Sequence, residues 1–216
     1  MDVRQPSYVI AINGASGSGK STLVKALVQE LDHAVAMYFD DYDPRMIPSS
    51  KYPTDITQWI NNGANPNEWE TPQMVEDLQI LRQGNMVTNP KTKEVLQPSA
   101  FIVLEEPFGR EREAMKDLID FVVAIDIPLE IALARRLLEI PEMPYFIEHP
   151  EESFPTIMRY LRSYLYHSAR ELYITVNQQV RKNCDLIVDG TKSIDVLATA
   201  IAEQVRLAAT SLVTES

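Results

Sequence analysis

The sequence has only one cysteine, and this scarcity limits its covalent and metal chemistry. Cys184 has no second cysteine with which to form an intrachain disulfide, and such a chain is typical of a reducing cytosol. His33, His149 and His167 show no metal-ligand spacing, so we expect no zinc site. The sequence also lacks the GxSxG segment and the serine and histidine pairing typical of hydrolases.

Long apolar runs and an excess of positive charge are absent as well. No uninterrupted apolar stretch is long enough to cross a bilayer, and residues 1–7 lack the apolar region of a secretory signal peptide. Asp and Glu outnumber Lys and Arg by 31 to 20, which gives a formal net charge of −11. We therefore expect a cytoplasmic protein that binds neither nucleic acid nor membrane.

Residues 14–21 match the complete phosphate-binding pattern GxxxxGK[ST]. They read Gly-Ala-Ser-Gly-Ser-Gly-Lys-Ser and lie between an apolar run at 8–12 and a helical pattern at 22–31. Strand, loop and helix is the context that this motif requires. Glycines let backbone N–H groups surround phosphate oxygens, and the helix N-terminus adds positive potential. The segment therefore predicts a nucleoside triphosphate site, compatible with an acidic protein because the positive potential is local.

Each part of this loop has an expected role. Lys20 is expected to reach the β- and γ-phosphates as a catalytic residue, and the Ser21 hydroxyl is expected to ligate Mg²⁺. ATP and Mg²⁺ are accordingly the expected cofactors. The residues predicted to bind the nucleotide are Gly14, Ala15, Ser16, Gly17, Ser18, Gly19, Lys20, Ser21 and Thr22.

Short apolar strands alternate with helical patterns, which predicts a mainly parallel sheet with helices on both faces. The sequence thus indicates an α/β protein with the three-layer α/β/α fold of P-loop NTPases, in a single domain over residues 1–216. It contains no internal repeat. The predicted strands are 8–12, 34–39, 100–104, 121–127 and 185–188, with a hairpin at 86–96. The predicted helices are 22–31, 72–84, 129–138, 156–180 and 194–207.

Acidic residues follow two of these strands at their carboxyl ends, where ligands bind in open α/β sheets. A carboxylate there either holds Mg²⁺ or accepts a proton from a substrate hydroxyl. Asp40 comes first after its strand and is predicted to be the base and a metal ligand. Asp41 equally fits a loop cap, and we interpret Asp43 as a loop residue. Glu105 and Glu106 point in opposite directions, and we favour Glu105 as the metal ligand.

Two pairs of residues have two interpretations each. Arg135 and Arg136 are catalytic candidates that close over phosphates, or solvated arginines paired with acidic residues in helical range. Trp69 and Glu70 are candidates for stacking a base and binding ribose hydroxyls. Alternatively, they form a hydrophobic staple and an acidic first turn before the next helix, for which Thr71 is the expected N-cap.

These motifs resemble the uridine kinase, nicotinamide riboside kinase and phosphoribulokinase branch of the P-loop kinases, from about residue 7 to residue 207. The segment 39–42 looks like the family segment whose first Asp is the base, and 103–105 resembles the strand ending in the Mg²⁺-associated Glu. Residues 69–72 fall where uridine kinases contact the nucleoside. Residues 188–193 are similar to the closing strand of nicotinamide riboside kinases, near the adenine.

The chain departs from the family pattern at its acceptor side. The family's Glu-Gly is replaced by Glu-Glu-Pro-Phe-Gly at 105–109. The hairpin with which uridine kinases select pyrimidines reads Asn-Pro-Lys-Thr-Lys at 89–93, and residues 43–69 match no family segment.

The resemblance implies an ATP- and Mg²⁺-dependent kinase of a small metabolite, foremost of a nucleoside 5′-hydroxyl. The alternatives are a kinase of a non-nucleoside alcohol, such as pantothenate or a sugar phosphate, or a nucleotide-dependent regulator with little turnover. We expect an acceptor-binding insertion at about 43–70 and a lid at about 137–155. The expected partner is a small-molecule acceptor, and a homodimer is compatible with the sequence. The implied acceptor contacts are Asp40, Tyr42, Trp69 and Glu70.

Overall fold

The computed structural model of the protein describes residues 7–45 and 47–214, with side chains up to residue 210. The strands in this part are β1 (Tyr8–Asn13), β2 (Ala34–Tyr38), β3 (Val87–Thr88), β4 (Val95–Leu96), β5 (Phe101–Glu105), β6 (Phe121–Asp126) and β7 (Leu186–Asp189). The α-helices in this part are α1 (Lys20–Glu30), α2 (Ile56–Asn61), α3 (Pro72–Arg82), α4 (Glu113–Lys116), α5 (Leu129–Glu139), α6 (Pro144–Glu148), α7 (Ser153–Tyr166), α8 (Ala169–Val180) and α9 (Ile194–Thr214).

Five strands form a parallel sheet in the order β2-β5-β1-β6-β7. The register pairs Ile12 of β1 and Tyr38 of β2 with Glu105 of β5, so these three strands end at the same level. The predicted α/β fold with a mainly parallel sheet is confirmed. The predicted hairpin is present as the antiparallel pair β3 and β4.

Alternating side chains of the sheet enter two separate cores. Ile10 and Ile12 pack with residues of α1 and α9 on one face, whereas Val9 and Ala11 pack with residues of α3 and α8 on the other. The strands carry near-continuous apolar runs because both faces of a parallel sheet are covered. Each fully buried Ile or Leu stabilises the fold by about 1.5–3 kcal/mol. The sheet edge that carries the site is therefore held between two packed layers.

The segment 39–69, for which the sequence predicted no helix and no strand beyond residue 39, contains a 3₁₀ turn at Phe39–Tyr42, the helix α2 and a second 3₁₀ turn at Pro66–Glu68. The helix α2 begins at an Asp N-cap, because Asp55 Oδ1 accepts a hydrogen bond from the Gln58 backbone N–H at 2.9 Å. Such a cap satisfies one of the free N–H groups of the first turn. The Asp55 cap was not recognised in the sequence, because α2 is short and lies in a segment with several prolines.

Two other predictions need correction. The single helix predicted at 156–180 is divided into α7 and α8 at Ser168, which adopts a left-handed φ of +59° and whose hydroxyl lies 2.8 Å from that of Thr57. The segment 140–155, for which no helix was predicted, contains α6, two 3₁₀ turns and the first turn of α7. Its prolines occupy first-turn positions of these short helices, where proline is favoured.

The last helix is longer than predicted, and residues 1–6 and 215–216 lie outside the described residues. Within the described part, no helix is both long enough and apolar enough to span a membrane.

Candidate active site

The phosphate-binding loop connects β1 to α1 in a conformation that its glycines permit. Gly17 and Gly19 have φ angles of +79° and +94°, in the left-handed region that favours glycine. A Cβ added to Gly17 would lie 2.0 Å from the carbonyl oxygen of Ala132 on α5, so a side chain there would push the helix away. The helix α1 begins at Lys20. Residues 14–22 therefore form a continuous turn from the end of β1 into the N-terminus of α1.

Glu105, at the end of β5, contacts this loop through both carboxylate oxygens. Oε2 accepts a hydrogen bond from Ser21 Oγ at 2.7 Å, and Oε1 lies 3.7 Å from Lys20 Nζ. Lys20 Nζ also donates to the carbonyl of Ala15 at 3.2 Å. Glu106 pairs instead with a buried arginine on the other side. Of the two glutamates, Glu105 is thus the one beside the phosphate loop.

Asp40 lies in the same groove as this cluster. The 3₁₀ turn after β2 leaves Asp40 exposed. Asp40, Ser21 and Glu105 line a groove of about 520 Å³. Because β5 separates β2 from β1, the strand of Glu105 lies between Asp40 and the phosphate loop. The order of the strands therefore places a free carboxylate and a phosphate-loop cluster on opposite sides of one groove.

The neighbouring aspartates have structural partners. Asp41 is buried. Its carboxylate accepts a hydrogen bond from Asn89 Nδ2 at 2.8 Å and forms an ion pair with Lys91 Nζ at 3.1 Å. These contacts fasten the β3–β4 hairpin to the turn that carries Asp40. Asp43 accepts hydrogen bonds from the side chain and backbone of Arg45, and the side-chain bond lowers the pKa of Asp43. Asn89 and Lys91 were not among the predicted site residues.

Tyr42 is unavailable to a substrate, which corrects its predicted role as an acceptor contact. Its ring is fully buried, and its hydroxyl donates to Asp77 Oδ2 at 2.8 Å. Burial and then the charge of Asp77 raise the pKa of Tyr42 well above its ordinary value. The 3₁₀ turn directs the Tyr42 side chain into the core while Asp40, two positions earlier, stays exposed.

Trp69 lies in a cluster of aromatic rings. Its ring centre is 4.9 Å from that of Tyr52, 5.3 Å from that of Phe108 and 5.9 Å from that of Trp59. These contacts favour the packing interpretation of Trp69 over base stacking. Burial and then the charges of Asp43 and Asp40 raise the pKa of the Tyr52 hydroxyl above its ordinary value.

Glu70 lies at the start of α3 and is half exposed. Its Oε2 is 3.2 Å from Lys51 Nζ, and the two residues exchange backbone hydrogen bonds of 2.8 Å. Thr71 takes the predicted N-cap position, but its hydroxyl accepts a hydrogen bond from Arg112 instead of capping the helix. The pairing of Lys51 with Glu70 thus closes the segment between them into a loop.

The arginines of α5 adjoin the loop and its flanks. A Cβ at Gly17 would lie 3.0 Å from the Cβ of Arg136, so this part of α5 packs on the loop. Arg136 Nη1 donates to Glu139 at 2.7 Å, as in the ion-pair alternative, and Arg135 Nη1 donates to the carbonyl of Gly190 at 3.0 Å. Both guanidinium groups are therefore engaged while their helix contacts the phosphate loop.

A second groove, of about 580 Å³, lies at the carboxyl ends of β6 and β7. It is lined by residues 126–128, 187–189 and 191. The Gly190 N–H donates to the Asp126 carbonyl at 2.7 Å, which brings the segment after β7 against the end of β6. This groove is formed by the segment whose sequence resembles an adenine-binding strand.

Tyr173 of α8 is a further neighbour of the loop that the sequence did not indicate. Its hydroxyl lies 3.3 Å from that of Tyr160 and interacts with Ser16. Burial raises the pKa of Tyr173 above its ordinary value. A tyrosine within a long amphipathic pattern is typical of a helix core, so no sequence signal separated Tyr173 from a packing residue.

Known proteins resemble this chain along most of its length. Residues 9–139, more than half of the chain, match the model of the Phosphoribulokinase / Uridine kinase family. A uridine kinase of Staphylococcus epidermidis is 24% identical over 208 residues, covering 89% of this chain and 94% of that protein. A uridine kinase of Staphylococcus haemolyticus is 26% identical over 141 residues, covering 60% of this chain and 67% of that protein.

A solved structure gives the same picture of the fold. The structure described as a possible uridine kinase from Bacillus stearothermophilus has a TM-score of 0.50 and 19% identity, and covers 85% of this chain and 89% of that one. The family match spans both the phosphate loop and α5, the helix that packs on it. The chain therefore belongs to the Phosphoribulokinase / Uridine kinase family and is a kinase.

Proposed function

We propose that this protein transfers the γ-phosphoryl group of ATP, with Mg²⁺, to the 5′-hydroxyl of a nucleoside. One observation carries the proposal: an exposed carboxylate, Asp40, shares a groove with Ser21 of the phosphate loop and with Glu105, whose carboxylate also lies 3.7 Å from Lys20 Nζ. Phosphoryl transfer requires a donor site and a proton acceptor in one enclosure. The nucleoside acceptor is supported by the family and by relatives described as uridine kinases.

The residues present fit a magnesium ion. Mg²⁺ prefers oxygen ligands and keeps several waters and phosphate oxygens, so one or two protein oxygens suffice. The Ser21 hydroxyl and the Glu105 carboxylate, 2.7 Å apart, supply such a donor set. Within residues 7–45 and 47–214, no group of three His, Cys, Asp or Glu side chains forms a metal site by itself. Ser21 and Glu105, with Asp40 through water, would hold the ion, which when bound neutralises charge on the phosphates.

The chain's own groups account for the rest of the reaction. The loop N–H groups and Lys20 would bind the β- and γ-phosphates, and the groove at 187–191 would hold the adenine. Asp40 would orient the acceptor hydroxyl and take its proton as the oxygen attacks the γ-phosphorus. The bond from that phosphorus to the β–γ bridging oxygen breaks, and ADP leaves with the electron pair. The proposed acceptor-binding insertion at 43–70 and the proposed lid at 137–155 would exclude water, with Arg135 or Arg136 clamping the phosphoryl charge.

The test is ADP release with Mg·ATP and a panel of acceptors. The panel comprises uridine, cytidine, adenosine, nicotinamide riboside, pantothenate and ribulose 5-phosphate. We expect a nucleoside-dependent signal. Asp40→Asn should lower kcat by roughly 10² or more while leaving ATP affinity nearly unchanged, because it removes the proton acceptor and keeps the shape.

The outcomes separate the candidate functions. Full activity of Asp40→Asn would refute the assignment of the base. A signal with pantothenate or ribulose 5-phosphate alone would replace the nucleoside by a non-nucleoside alcohol. Silence across the panel, with ATP binding still detectable, would indicate an acceptor outside the panel or a regulator in which nucleotide binding orders the loops.

A further inference from the structure

A buried ion pair between Glu106 and Arg112 adjoins the candidate site. The Glu106 side chain is fully buried, and that of Arg112 is 3% exposed. Arg112 Nη2 donates to Glu106 Oε2, while Glu106 Oε1 accepts the Phe108 backbone N–H at 3.1 Å. Removing two charges from water is costly, and apolar replacements of such pairs often fold as well. Stability alone is therefore a weak reason for a buried ion pair at this position.

The second arm of the guanidinium reaches the end of the insertion. Arg112 Nη1 donates to the carbonyl of Trp69 and to the hydroxyl of Thr71, both at 2.8 Å. Trp69 belongs to the aromatic cluster of residues 52–69, and Thr71 precedes α3. One side chain thus joins the segment that follows Glu105 to the segment that closes the insertion.

The flat faces of the same group contact the turn of the candidate base. The guanidinium carbon lies 5.5 Å from the ring centre of Phe39 and 5.9 Å from that of Phe108, within the range of cation–π attraction. Phe39 directly precedes Asp40 and stacks on Tyr52 of the insertion, with ring centres 5.5 Å apart. Arg112 therefore touches the three segments that carry Glu105, Asp40 and the insertion.

We propose that Arg112 is a positioning residue, which holds Asp40 and the insertion at a fixed distance from Glu105 and the phosphate loop. Its effect on turnover rests on the kinase function proposed above. A displacement of about 1 Å can lower the rate by about 10² when reacting groups must align. The contacts of Arg112 include neither Lys20 nor Ser21, so its loss should act on the acceptor and leave nucleotide binding intact.

The first experiment uses a variant designed to fold. The double variant Glu106→Leu with Arg112→Met replaces the ion pair by apolar groups of similar size. With Mg·ATP and uridine, we expect kcat/KM for uridine to fall by about tenfold or more. The Kd of Mg·ATP should stay near that of the wild type. The thermal midpoint should fall moderately while the variant stays folded, because the Trp69 carbonyl, the Thr71 hydroxyl and the Phe108 N–H lose their partners. The single variant Arg112→Lys keeps the positive charge beside Glu106. Its kcat/KM for uridine should lie between that of the double variant and that of the wild type.

A matched control separates positioning from general loss of stability. Arg82 pairs with Asp120 at 2.7 Å and donates to the Leu118 carbonyl at 2.6 Å, at the opposite end of the sheet. Arg82→Met should lower the thermal midpoint without changing the uridine kinetics. Wild-type kinetics in the folded double variant would overturn the proposal, as would a loss shared equally by uridine and Mg·ATP.

A second readout does not depend on turnover. The chain has two tryptophans, and Trp59→Phe leaves Trp69 as the single fluorophore. In that background, Glu106→Leu with Arg112→Met should raise acrylamide quenching of Trp69, because its segment is no longer held. Unchanged quenching would overturn the positioning of the insertion. If the wild type releases no ADP with uridine while quenching rises, the proposed function fails and the positioning by Arg112 stands.

Discussion

Removing the charge of Glu105 should have two opposite effects on ATP binding, one through Lys20 and one through Mg²⁺. Glu105→Gln keeps the shape of the side chain and removes its charge. In the structure this charge lies 3.7 Å from Lys20 Nζ, and both side chains are at most 13% exposed. Under the proposed function, the carboxylate would compete with phosphate for the lysine and would also serve as a ligand of Mg²⁺.

The size of the competition follows from Coulomb's law. At an effective dielectric constant of about 20, unit charges 3.7 Å apart attract by roughly 4 kcal/mol. Solvent and the bound phosphates screen most of this gross value. We expect about a third to remain, so ATP without metal should bind the variant roughly tenfold more tightly. With Mg²⁺ present, the ion loses a ligand in the variant. Mg²⁺ should therefore increase ATP affinity less than in the wild type, and kcat should fall.

Calorimetric titration of ATP, with Mg²⁺ and with chelator, checks both signs in one variant. Glu94→Gln is the matched control, because Glu94 lines the same groove but has no bond to the loop. Weaker binding under both conditions would indicate general damage. Unchanged binding under both would refute the role of Glu105 beside the phosphates.

Three further outcomes follow from other parts of the structure. Gly17→Ala should weaken ATP binding and lower the thermal midpoint, because the new Cβ would lie 2.0 Å from the Ala132 carbonyl oxygen. Calorimetry and thermal melts measure these two effects, and wild-type values would contradict the packing of α5 on the loop. Tyr42→Phe should lower the free energy of unfolding by about 1–3 kcal/mol, since Asp77 loses its buried donor, while acceptor KM stays unchanged in the folded variant; a raised KM would restore Tyr42 as an acceptor contact. Because burial raises the pKa of Tyr42 and Tyr173 in the fold, their contribution to stability is complete below about pH 10 and is lost as pH rises further. Urea melts at increasing pH, together with the phenolate absorbance, should show these tyrosines ionising only on unfolding, and their free titration in the folded protein would contradict this.

The elements that were predictable from the sequence are those with a local signal. The phosphate loop depends on contiguous glycines followed by Lys20 and Ser21, and the buried strands are continuous apolar runs. Because side chains alternate along a strand, the sequence predicted that only one of Glu105 and Glu106 faces the site, but the pattern did not settle which one. The contacts with Lys20 and Ser21 place Glu105 beside the loop. The division of the long helix at Ser168 had no such signal, because the hydroxyl of Thr57 that it meets is distant in sequence.

The acceptor side was less predictable because its contacts join distant segments. Asp41 depends on Asn89 and Lys91 of the hairpin, and Arg112 depends on hydrogen-bond partners up to 43 residues away and on the still more distant Phe39. Tyr42 resembled a site residue by its position next to Asp40 in the family pattern. The turn type, which the sequence did not reveal, decided that its side chain enters the core.

The order of the strands attaches the phosphate loop and Asp40 to different parts of the sheet. The loop and Glu105 belong to β1 and β5 inside the sheet, whereas Asp40 and the residues after it hang from β2 at its margin. A marginal strand can receive a new connection without disturbing the register of its inner neighbours. Under the proposed function, exchanging residues 43–70 and the hairpin for those of a relative should transfer acceptor choice and leave the phosphate loop intact, provided that Arg112 keeps its hydrogen bonds at positions 69 and 71. The fold is in this sense suited to the engineering of acceptor choice.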